Sequence, residues 1–245
     1  LAEHGDIYVN DAFSVSHRNH ASITGLSKEL PAFAGLQLQK EVEHLSLNGK
    51  KHPFLFVLGG AKFETKAPLV KRFLDDADDI YIGGALAHDF YKAKGYEIGK
   101  SLHYKSVGEE MFQEDKIILP TDVLVENGAR TNHKQASEVL HNDTIVDMGT
   151  DSLKDLKNLS SRARTILWNG PLGWYEKGYD KATREYVEFL AKSSAEVMVG
   201  GGDTVNLIEK IGLIDQFYFV STGGGAMLEF LEKGTLVGLE NLKES

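Results

Sequence analysis

The chain has 245 residues, with 36 acidic and 27 basic side chains and a formal net charge of −9 at pH 7. This charge argues against a nucleic-acid partner held by bulk attraction, and no apolar run is long enough to cross a bilayer, so neither nucleic acid nor membrane is an expected partner. The absence of cysteine excludes disulfides and thiolate metal sites and is consistent with a reducing cytoplasm. No signal peptide is visible, and the first residue is Leu1 rather than Met, so we expect a processed chain or a piece of a longer one.

Short apolar runs alternate with helical patterns along most of the chain, and each run predicts a strand. They are Phe54–Leu58, Ile80–Ile82, Lys116–Leu119, Val123–Val125, Thr144–Asp147, Thr165–Trp168, Glu196–Val199 and Tyr218–Val220. Most are continuously apolar, as is typical of parallel strands that are buried on both faces. The pattern predicts an α/β fold with a doubly wound, mainly parallel sheet and helices on both faces, a Rossmann-like three-layer sandwich. In such a fold ligands bind beyond the carboxyl ends of the strands.

The flanking stretches have a different character. Residues 1–30 lack this alternation, and we interpret them as the edge of another domain. Apolar residues spaced along Ala34–Leu47 predict a long connecting helix after the break at Leu30–Pro31. The mostly polar stretch Thr131–Asn142 is predicted to be irregular and on the surface.

One stretch combines a strand, a glycine turn and the start of a helix. Residues 199–204 read Val-Gly-Gly-Gly-Asp-Thr. Glycines let the backbone approach an anion, and the first N–H groups of a helix point toward it, so Gly201, Gly202 and Thr204 are candidate phosphate contacts. Asp203 would repel a bare phosphate, and a magnesium ion bound by the phosphates explains it better. The alternative, an ordinary turn with Asp203 as N-cap, remains open at this point.

A second turn carries two lysines. Residues 59–66 read Gly-Gly-Ala-Lys-Phe-Glu-Thr-Lys, which places Lys62 and Lys66 four residues apart and on one face of a helix. Both could reach a phosphate, although two solvated surface lysines would give the same pattern. The stretch is not a Walker A loop, and no Gly-x-Gly-x-x-Gly dinucleotide fingerprint occurs at these turns.

Further candidates follow other strands. Asn169 could donate to a phosphate and Glu176 could accept from ribose hydroxyls, while a plain turn with aromatic packing is the alternative. Residues 221–226, Ser-Thr-Gly-Gly-Gly-Ala, form another glycine-rich turn before a helix. His17 and His20 are three residues apart but lack an evident third metal ligand, whereas the planar Arg18 side chain suits a phosphate or carboxylate.

Taken in order, these motifs resemble the phosphoglycerate kinase family. The matching stretches are Asn10–Phe13 with His17–Arg18, Ala34–Gly35 through Lys40–Glu41, Gly59–Lys62 with Lys66, Trp168–Pro171, Gly201–Thr204 and Ser221–Ala226. The resemblance implies reversible phosphoryl transfer between 1,3-bisphosphoglycerate and ADP, giving 3-phosphoglycerate and ATP in glycolysis, with Mg²⁺. It also implies a cytoplasmic monomer.

The resemblance also implies roles for individual residues. Lys62 would contact the transferring phosphoryl group, Arg18 the phosphate of 3-phosphoglycerate, and Asp203 the Mg²⁺ ion. The positions implied to bind the nucleotide are Gly60, Ala61, Lys62, Lys66, Gly83, Gly84, Asn169, Pro171, Glu176, Gly201, Gly202, Asp203, Thr204, Gly224 and Gly225. Within this set Lys66 matches a contact to the nucleotide phosphates, Glu176 the ribose ligand, and Gly83 with Gly84 the wall near adenine.

The resemblance further implies a domain plan. Residues 1–30 would be a remnant of the N-terminal phosphoglycerate-binding domain, 31–50 the interdomain helix, 51–232 the nucleotide-binding domain, and 233–245 a segment returning toward the absent domain. Because most of the phosphoglycerate pocket is absent, we expect the chain to be inactive alone. The sequence departs from the family pattern at Ser14–Ser16, Ala182–Thr183, Tyr218–Phe219 and Val237.

Two alternatives come from other functional classes. The chain could be a stand-alone, non-catalytic nucleotide-binding module. It could also be a Rossmann-type oxidoreductase domain, which would prefer NADH to ADP.

Overall fold

The computed structural model describes residues 1–61, 63–104, 107 and 114–243. The chain divides into two compact units: the sheet unit, Lys50–Val220, and the terminal unit, which combines Leu1–Gly49 with the stretch that begins at Ser221. These limits differ from the predicted ranges 1–30, 31–50, 51–232 and 233–245, whose assignment to kinase domains stays a prediction.

The elements alternate along the chain. The strands are β1 (Tyr8–Asn10), β2 (Ala32–Ala34), β3 (Phe54–Leu58), β4 (Asp79–Ile82), β5 (Ile117–Ile118), β6 (Asp122–Asn127), β7 (Arg130–Gln135), β8 (Thr144–Met148), β9 (Thr165–Asn169), β10 (Glu196–Gly200) and β11 (Phe219–Val220). The α-helices are α1 (Leu26–Glu29), α2 (Leu36–Leu45), α3 (Phe63–Asp76), α4 (Leu86–Ala93), α5 (Thr150–Ser160), α6 (Lys181–Leu190), α7 (Gly202–Lys210) and α8 (Gly225–Lys233). Among the described residues, no helix is both long and apolar enough to span a membrane.

A parallel sheet of six strands organises the sheet unit. Its order is β11-β10-β9-β3-β4-β5, and every pairing is parallel. From β3 the chain winds outward through β4 to β5, and it then returns to β9, beside β3, and winds the other way to β11. This reversal is the signature of a doubly wound sheet, so the predicted fold class is confirmed.

Strand β3 shows why the central strands are apolar on both faces. All five of its residues are buried, and their side chains alternate between two layers. On one face the Phe56 ring stacks on Phe73 of α3 with ring centroids 3.9 Å apart. On the other face Leu55 and Val57 pack in a cluster that includes residues of α5, α6 and α7.

Two of the predicted strands are strands but lie outside the parallel sheet. Val123–Val125 and Thr144–Asp147 belong to a separate three-stranded sheet of order β7-β6-β8, whose pairings are antiparallel. The stretch predicted to be irregular, Thr131–Asn142, contains most of strand β7, which pairs with β6 through a tight turn after Asn127. Strand β7 was missed because its side chains are polar and almost all exposed, so the strand is specified by backbone pairing rather than by burial.

The predicted helix Ala34–Leu47 is shorter than expected. Residues 32–34 form β2, which pairs with β1, and α2 begins at Leu36. The start of α2 is fixed by Asp11, whose Oδ1 accepts the Leu38 N–H at 2.9 Å. A carboxylate at a helix N-terminus satisfies an otherwise unpaired donor and complements the helix dipole.

The terminal unit has its own core. Phe13 and Phe230 meet edge to face with ring centroids 6.0 Å apart. The chain near Lys243 bridges to Phe33 of β2. The departure at Ser14–Ser16 is accommodated, since the fully buried Ser16 donates from Oγ to the Ala12 carbonyl at 3.0 Å.

We predict that Phe73→Ala lowers the free energy of unfolding of the sheet unit by about 3–5 kcal/mol, because it opens a cavity against Phe54 and Phe56. Urea denaturation followed by circular dichroism measures this change. The matched control is Arg72→Ala on the same helix, which removes only a surface pair with Asp76 and should cost less than about 1 kcal/mol. Equal effects of the two substitutions would contradict the described packing.

Candidate functional site

The carboxyl ends of β3 and β9 lie side by side where the winding of the sheet reverses. There the Gly59 N–H donates to the Asn169 carbonyl at 2.8 Å, and the Gly60 N–H donates to the Pro171 carbonyl at 2.7 Å. A ligand crevice is expected at such a switch point, because the connections from the two strands diverge above it.

The turn after β4 closes on the same place. The Leu86 N–H donates to the Gly60 carbonyl at 2.9 Å. A Cβ added at Gly84 would lie 2.6 Å from the Gly60 nitrogen and 2.7 Å from the Pro171 oxygen, so only glycine fits. The structure therefore brings together the predicted positions Gly60, Gly83, Gly84, Asn169 and Pro171.

Lys66 places its ammonium group at this junction. The side chain is 7% exposed, and Nζ donates to the Gly59 carbonyl. A Cβ added at Gly170 would lie 2.8 Å from the same Nζ, so the turn after β9 also borders it. The interpretation of Lys66 as a solvated surface lysine is thus wrong. Lys62 lies outside the described residues, and its neighbour Ala61 is partly buried.

The glycine turn after β10 borders Asn169. Gly201 has a φ of +96°, a conformation that side chains rarely adopt, and precedes the first residue of α7. A Cβ at Gly201 would lie 3.1 Å from the Gly170 nitrogen and 3.5 Å from Asn169 Nδ2. The N-terminus of α7 therefore opens at the crevice, with Gly202 in open space.

The first turn of α7 holds Asp203 and Thr204. Thr204 is fully buried, and within the described part of the chain its Oγ1 has no hydrogen-bond partner. A buried hydroxyl without a partner costs free energy unless a ligand supplies one. Asp203 is half-buried, and no described side chain pairs with its carboxylate. No cluster of three metal-ligating side chains occurs among the described residues.

Glu176 is exposed in a 3₁₀ turn, Tyr175–Lys177, beyond the end of β9. The base of this segment is held by α6, where the buried Thr183 Oγ1 accepts the Leu172 N–H at 2.9 Å. Ala182 is also buried, so the departure at Ala182–Thr183 is accommodated.

A buried carboxylate that sequence reasoning left unassigned lies beneath the same segment. Asp147 is the penultimate residue of β8 and is 3% exposed, and its Oδ2 accepts the Ala182 N–H at 3.1 Å. Burial raises the pKa of Asp147 to about 6; the N–H groups of Ala182 and Met148 oppose this rise, and the charges of Asp180 and Glu185 add to it. The sequence feature that could have pointed to Asp147 is its position near the end of an apolar strand, just before Met148 and a glycine.

Three predicted site residues belong to the terminal unit. Arg18 is exposed, and Gly224 and Gly225 form the start of α8. The preceding residues are fixed by Glu41, a fully buried carboxylate that sequence reasoning assigned no role. It accepts from Ser221 Oγ at 2.7 Å and from the Thr222 N–H at 3.0 Å.

The fold and the site define a doubly wound α/β protein whose glycine-rich turns meet at the switch point of its sheet. The sequence profile of phosphoglycerate kinase matches residues 1–234. The chain belongs to the phosphoglycerate kinase family.

Similar proteins cover almost the whole chain. It is 42% identical to a phosphoglycerate kinase of Coprothermobacter proteolyticus, over 99% of this chain and 65% of that protein. It is 40% identical to one of Caulobacter vibrioides, over 99% of this chain and 66% of that protein. The solved phosphoglycerate kinase of Coxiella burnetii is 39% identical with a TM-score of 0.87, over 98% of this chain and 66% of that one. The chain thus spans about two thirds of the length of these relatives.

We predict an unusual pH dependence of stability from Asp147. Its pKa of about 6 lies above the ordinary 3.8, so its neutral form favours the folded state fully below pH 4, and this contribution is lost as pH rises through 6. Relative to Asp147→Asn, the wild type should lose about 3 kcal/mol of unfolding free energy between pH 4 and pH 7. Urea denaturation at several pH values measures the difference.

The matched control is Asp143→Asn, at a buried carboxylate with the opposite shift. Burial raises the pKa of Asp143, but the bonds from Lys134, the Leu140 N–H and Asn127 outweigh this and hold it below its ordinary value. The wild type should therefore gain stability over Asp143→Asn as pH rises toward 4, and the difference should change little above that pH. Differences of the same sign for both variants would contradict the described environments.

Proposed function

We propose that this chain is the nucleotide-binding part of a phosphoglycerate kinase. The crevice of the sheet unit binds ADP or ATP with Mg²⁺. The enzyme to which the chain belongs transfers a phosphoryl group reversibly between 1,3-bisphosphoglycerate and ADP, giving 3-phosphoglycerate and ATP in glycolysis. We further propose a cytoplasmic monomer.

The unpaired Thr204 hydroxyl is the observation that carries this proposal. It lies in the first turn of α7, next to N–H groups that a helix leaves without internal partners. Phosphate oxygens accept from such N–H groups and from a hydroxyl together, and the helix dipole adds attraction for a negative charge. A bound phosphate would therefore satisfy a buried hydroxyl for which the described part of the chain offers no partner.

The charges around the crevice fit a polyphosphate and its metal. Lys66 supplies a cation at the junction of the strands, and Asn169 lies beside Gly201. Asp203 would hold Mg²⁺, since this ion is commonly bound by one or two carboxylates with phosphate oxygens and water. When bound, Mg²⁺ would neutralise charge on the phosphates.

The remaining roles rest on family membership. Lys62 would contact the transferring phosphoryl group and Arg18 the phosphate of 3-phosphoglycerate. Phosphoryl transfer needs positioning and cationic stabilisation rather than a covalent protein group, so a lysine and an arginine are suitable residue types for these two roles. Because the match leaves about a third of the relatives' length uncovered, we expect these 245 residues to bind nucleotide without efficient turnover.

We predict that Thr204→Val weakens ADP binding about tenfold without loss of stability. The hydroxyl has no hydrogen-bond partner to lose among the described residues, whereas a hydrogen bond to a charged phosphate is worth about 1.5–3 kcal/mol. Calorimetric titration with ADP and Mg²⁺ measures affinity, with a dissociation constant in the micromolar to millimolar range, about −4 to −8 kcal/mol, expected for the wild type.

The control for this substitution is Thr165→Val at the amino end of β9. Thr165 is also fully buried, but its Oγ1 accepts the Lys51 N–H at 3.1 Å. The variant Thr165→Val should lose about 1 kcal/mol of unfolding free energy and keep the wild-type affinity for ADP. If Thr204→Val binds ADP as tightly as the wild type, the hydroxyl does not donate to the nucleotide and the proposal loses its main support.

We predict that Asp203→Ala removes the gain in ADP affinity that Mg²⁺ gives, while the fold is retained. The residue lies at a turn and no described side chain depends on it. Titrations with and without Mg²⁺ measure this, with the exposed Asp215→Ala as the matched control. If Mg²⁺ still strengthens binding in Asp203→Ala, the carboxylate does not hold the metal; it is not the cap of α7 either, because the N-cap is Gly201.

Two outcomes would favour the alternatives. Preferential binding of NADH over ADP would indicate an oxidoreductase domain. Nucleotide binding by the chain, together with no phosphoglycerate kinase activity in the full-length protein that contains it, would indicate a non-catalytic module.

A further inference from the structure

The segment Gly173–Tyr179, here called the 173–179 turn, carries Glu176. It is closed by its own backbone, since the Tyr179 N–H donates to the Trp174 carbonyl at 3.1 Å. It is attached to β8 by the Trp174 N–H, which donates to the Val146 carbonyl at 2.8 Å. The position of the 173–179 turn is therefore set by the end of β8.

Asp147 lies directly beneath this turn. A Cβ added at Gly173 would collide with Asp147 Oδ1, and it would lie 2.5 Å from the Tyr179 carbonyl oxygen. The turn thus packs its backbone on the carboxylate, and a side chain at residue 173 would lift it away.

The same carboxylate fixes the helix that follows the turn. Oδ2 accepts the Ala182 N–H at 3.1 Å in the first turn of α6, and Oδ1 accepts the Met148 N–H at 2.9 Å. One side chain therefore joins β8, the 173–179 turn and α6.

The charges that face this carboxylate are negative. Asp180 precedes α6 and Glu185 lies on it, and both act on Asp147. From β6, Glu126 Oε1 accepts the Tyr179 hydroxyl at 3.0 Å. Two N–H groups thus stabilise the ionised carboxylate, whereas burial and the neighbouring negative charges destabilise it.

We propose that Asp147 is a positioning residue of the nucleotide site. Its ionised carboxylate holds the 173–179 turn in place and so sets how tightly Glu176 binds the ribose of the nucleotide. This inference rests on the proposed function, because the ribose contact of Glu176 is part of it.

The physical basis is the loss of an acceptor. An ionised carboxylate only accepts hydrogen bonds and matches two N–H donors, whereas a protonated one presents a donor on one oxygen. Because burial raises the pKa of Asp147 to about 6, the change from the ionised to the protonated form occurs in mildly acidic solution. The Ala182 or Met148 N–H then loses its acceptor, so the start of α6 and the end of β8, between which the 173–179 turn is anchored, are held less firmly and the ribose loses its positioned partner.

The experiment compares two probes, ADP and inorganic pyrophosphate, each with Mg²⁺, between pH 5.0 and 7.5. Pyrophosphate has no ribose, so Asp147→Asn should weaken ADP binding at pH 7.5 about fivefold, the worth of one hydrogen bond, and leave pyrophosphate binding unchanged. The ratio of wild-type to Asp147→Asn affinity for ADP should fall toward one as pH drops below 6. Taking the ratio at each pH cancels the titration of the ligand itself.

The control variant is Asp143→Asn, which removes another buried carboxylate from the loop before β8 and should alter neither probe. In the free protein, emission from Trp174, whose ring lies 4.1 Å from Lys177 Nζ, should show a transition near pH 6 that Asp147→Asn lacks. This second measurement needs only the wild type if the variant does not fold.

The outcomes separate the two claims. ADP binding by the wild type with an unchanged Asp147→Asn affinity, an equal loss for ADP and pyrophosphate, or no transition of Trp174 near pH 6 would each overturn the positioning role alone. No ADP binding by the wild type at any pH would overturn the proposed function and this inference with it.

Discussion

The site depends on the contact between the carboxyl ends of β3 and β9. Two backbone hydrogen bonds, from Gly59 to Asn169 and from Gly60 to Pro171, lock the turns together. Because the chain winds away from this point in both directions, turns that are far apart in sequence open onto one crevice. Glycine is needed there because the backbones of neighbouring turns leave no room for side chains.

An acidic protein can still offer a local site for an anion. The net charge of −9 is spread over the whole chain, whereas the Lys66 ammonium and the N-terminus of α7 act at the crevice itself. Electrostatic attraction between exposed groups is screened within about 8–10 Å at ordinary salt, so these near groups would dominate the electrostatic field acting on a phosphate placed there. The buried Thr204 hydroxyl adds a directional donor to this field.

Carboxylates from other parts of the chain fix the starts of several helices. Asp11 accepts an N–H at the start of α2, Asp122 accepts the Ser152 N–H of α5 at 2.7 Å, and Asp147 accepts the Ala182 N–H of α6. In each case the cap comes from a strand or loop elsewhere in the chain rather than from the N-cap residue itself. This arrangement ties the helix position to the sheet, since the donor groups are satisfied only when the two elements are packed. It also underlies the proposal that Asp147 positions the turn that packs on it.

The sequence by itself determined the strands of the parallel sheet, because strands buried on both faces must be continuously apolar, and it marked the glycine turns that follow them. It also indicated the family, through motifs such as Gly201–Thr204 whose order along the chain is specific. The tertiary structure alone decided the antiparallel sheet, because β7 is polar and exposed and is held by pairing with β6. It alone decided the roles of Glu41 and Asp147, since a carboxylate in a sequence gives no sign of the distant N–H groups that will surround it. Burial and partners are properties of the packed chain, and they turned two ordinary acidic residues into the supports of two turns.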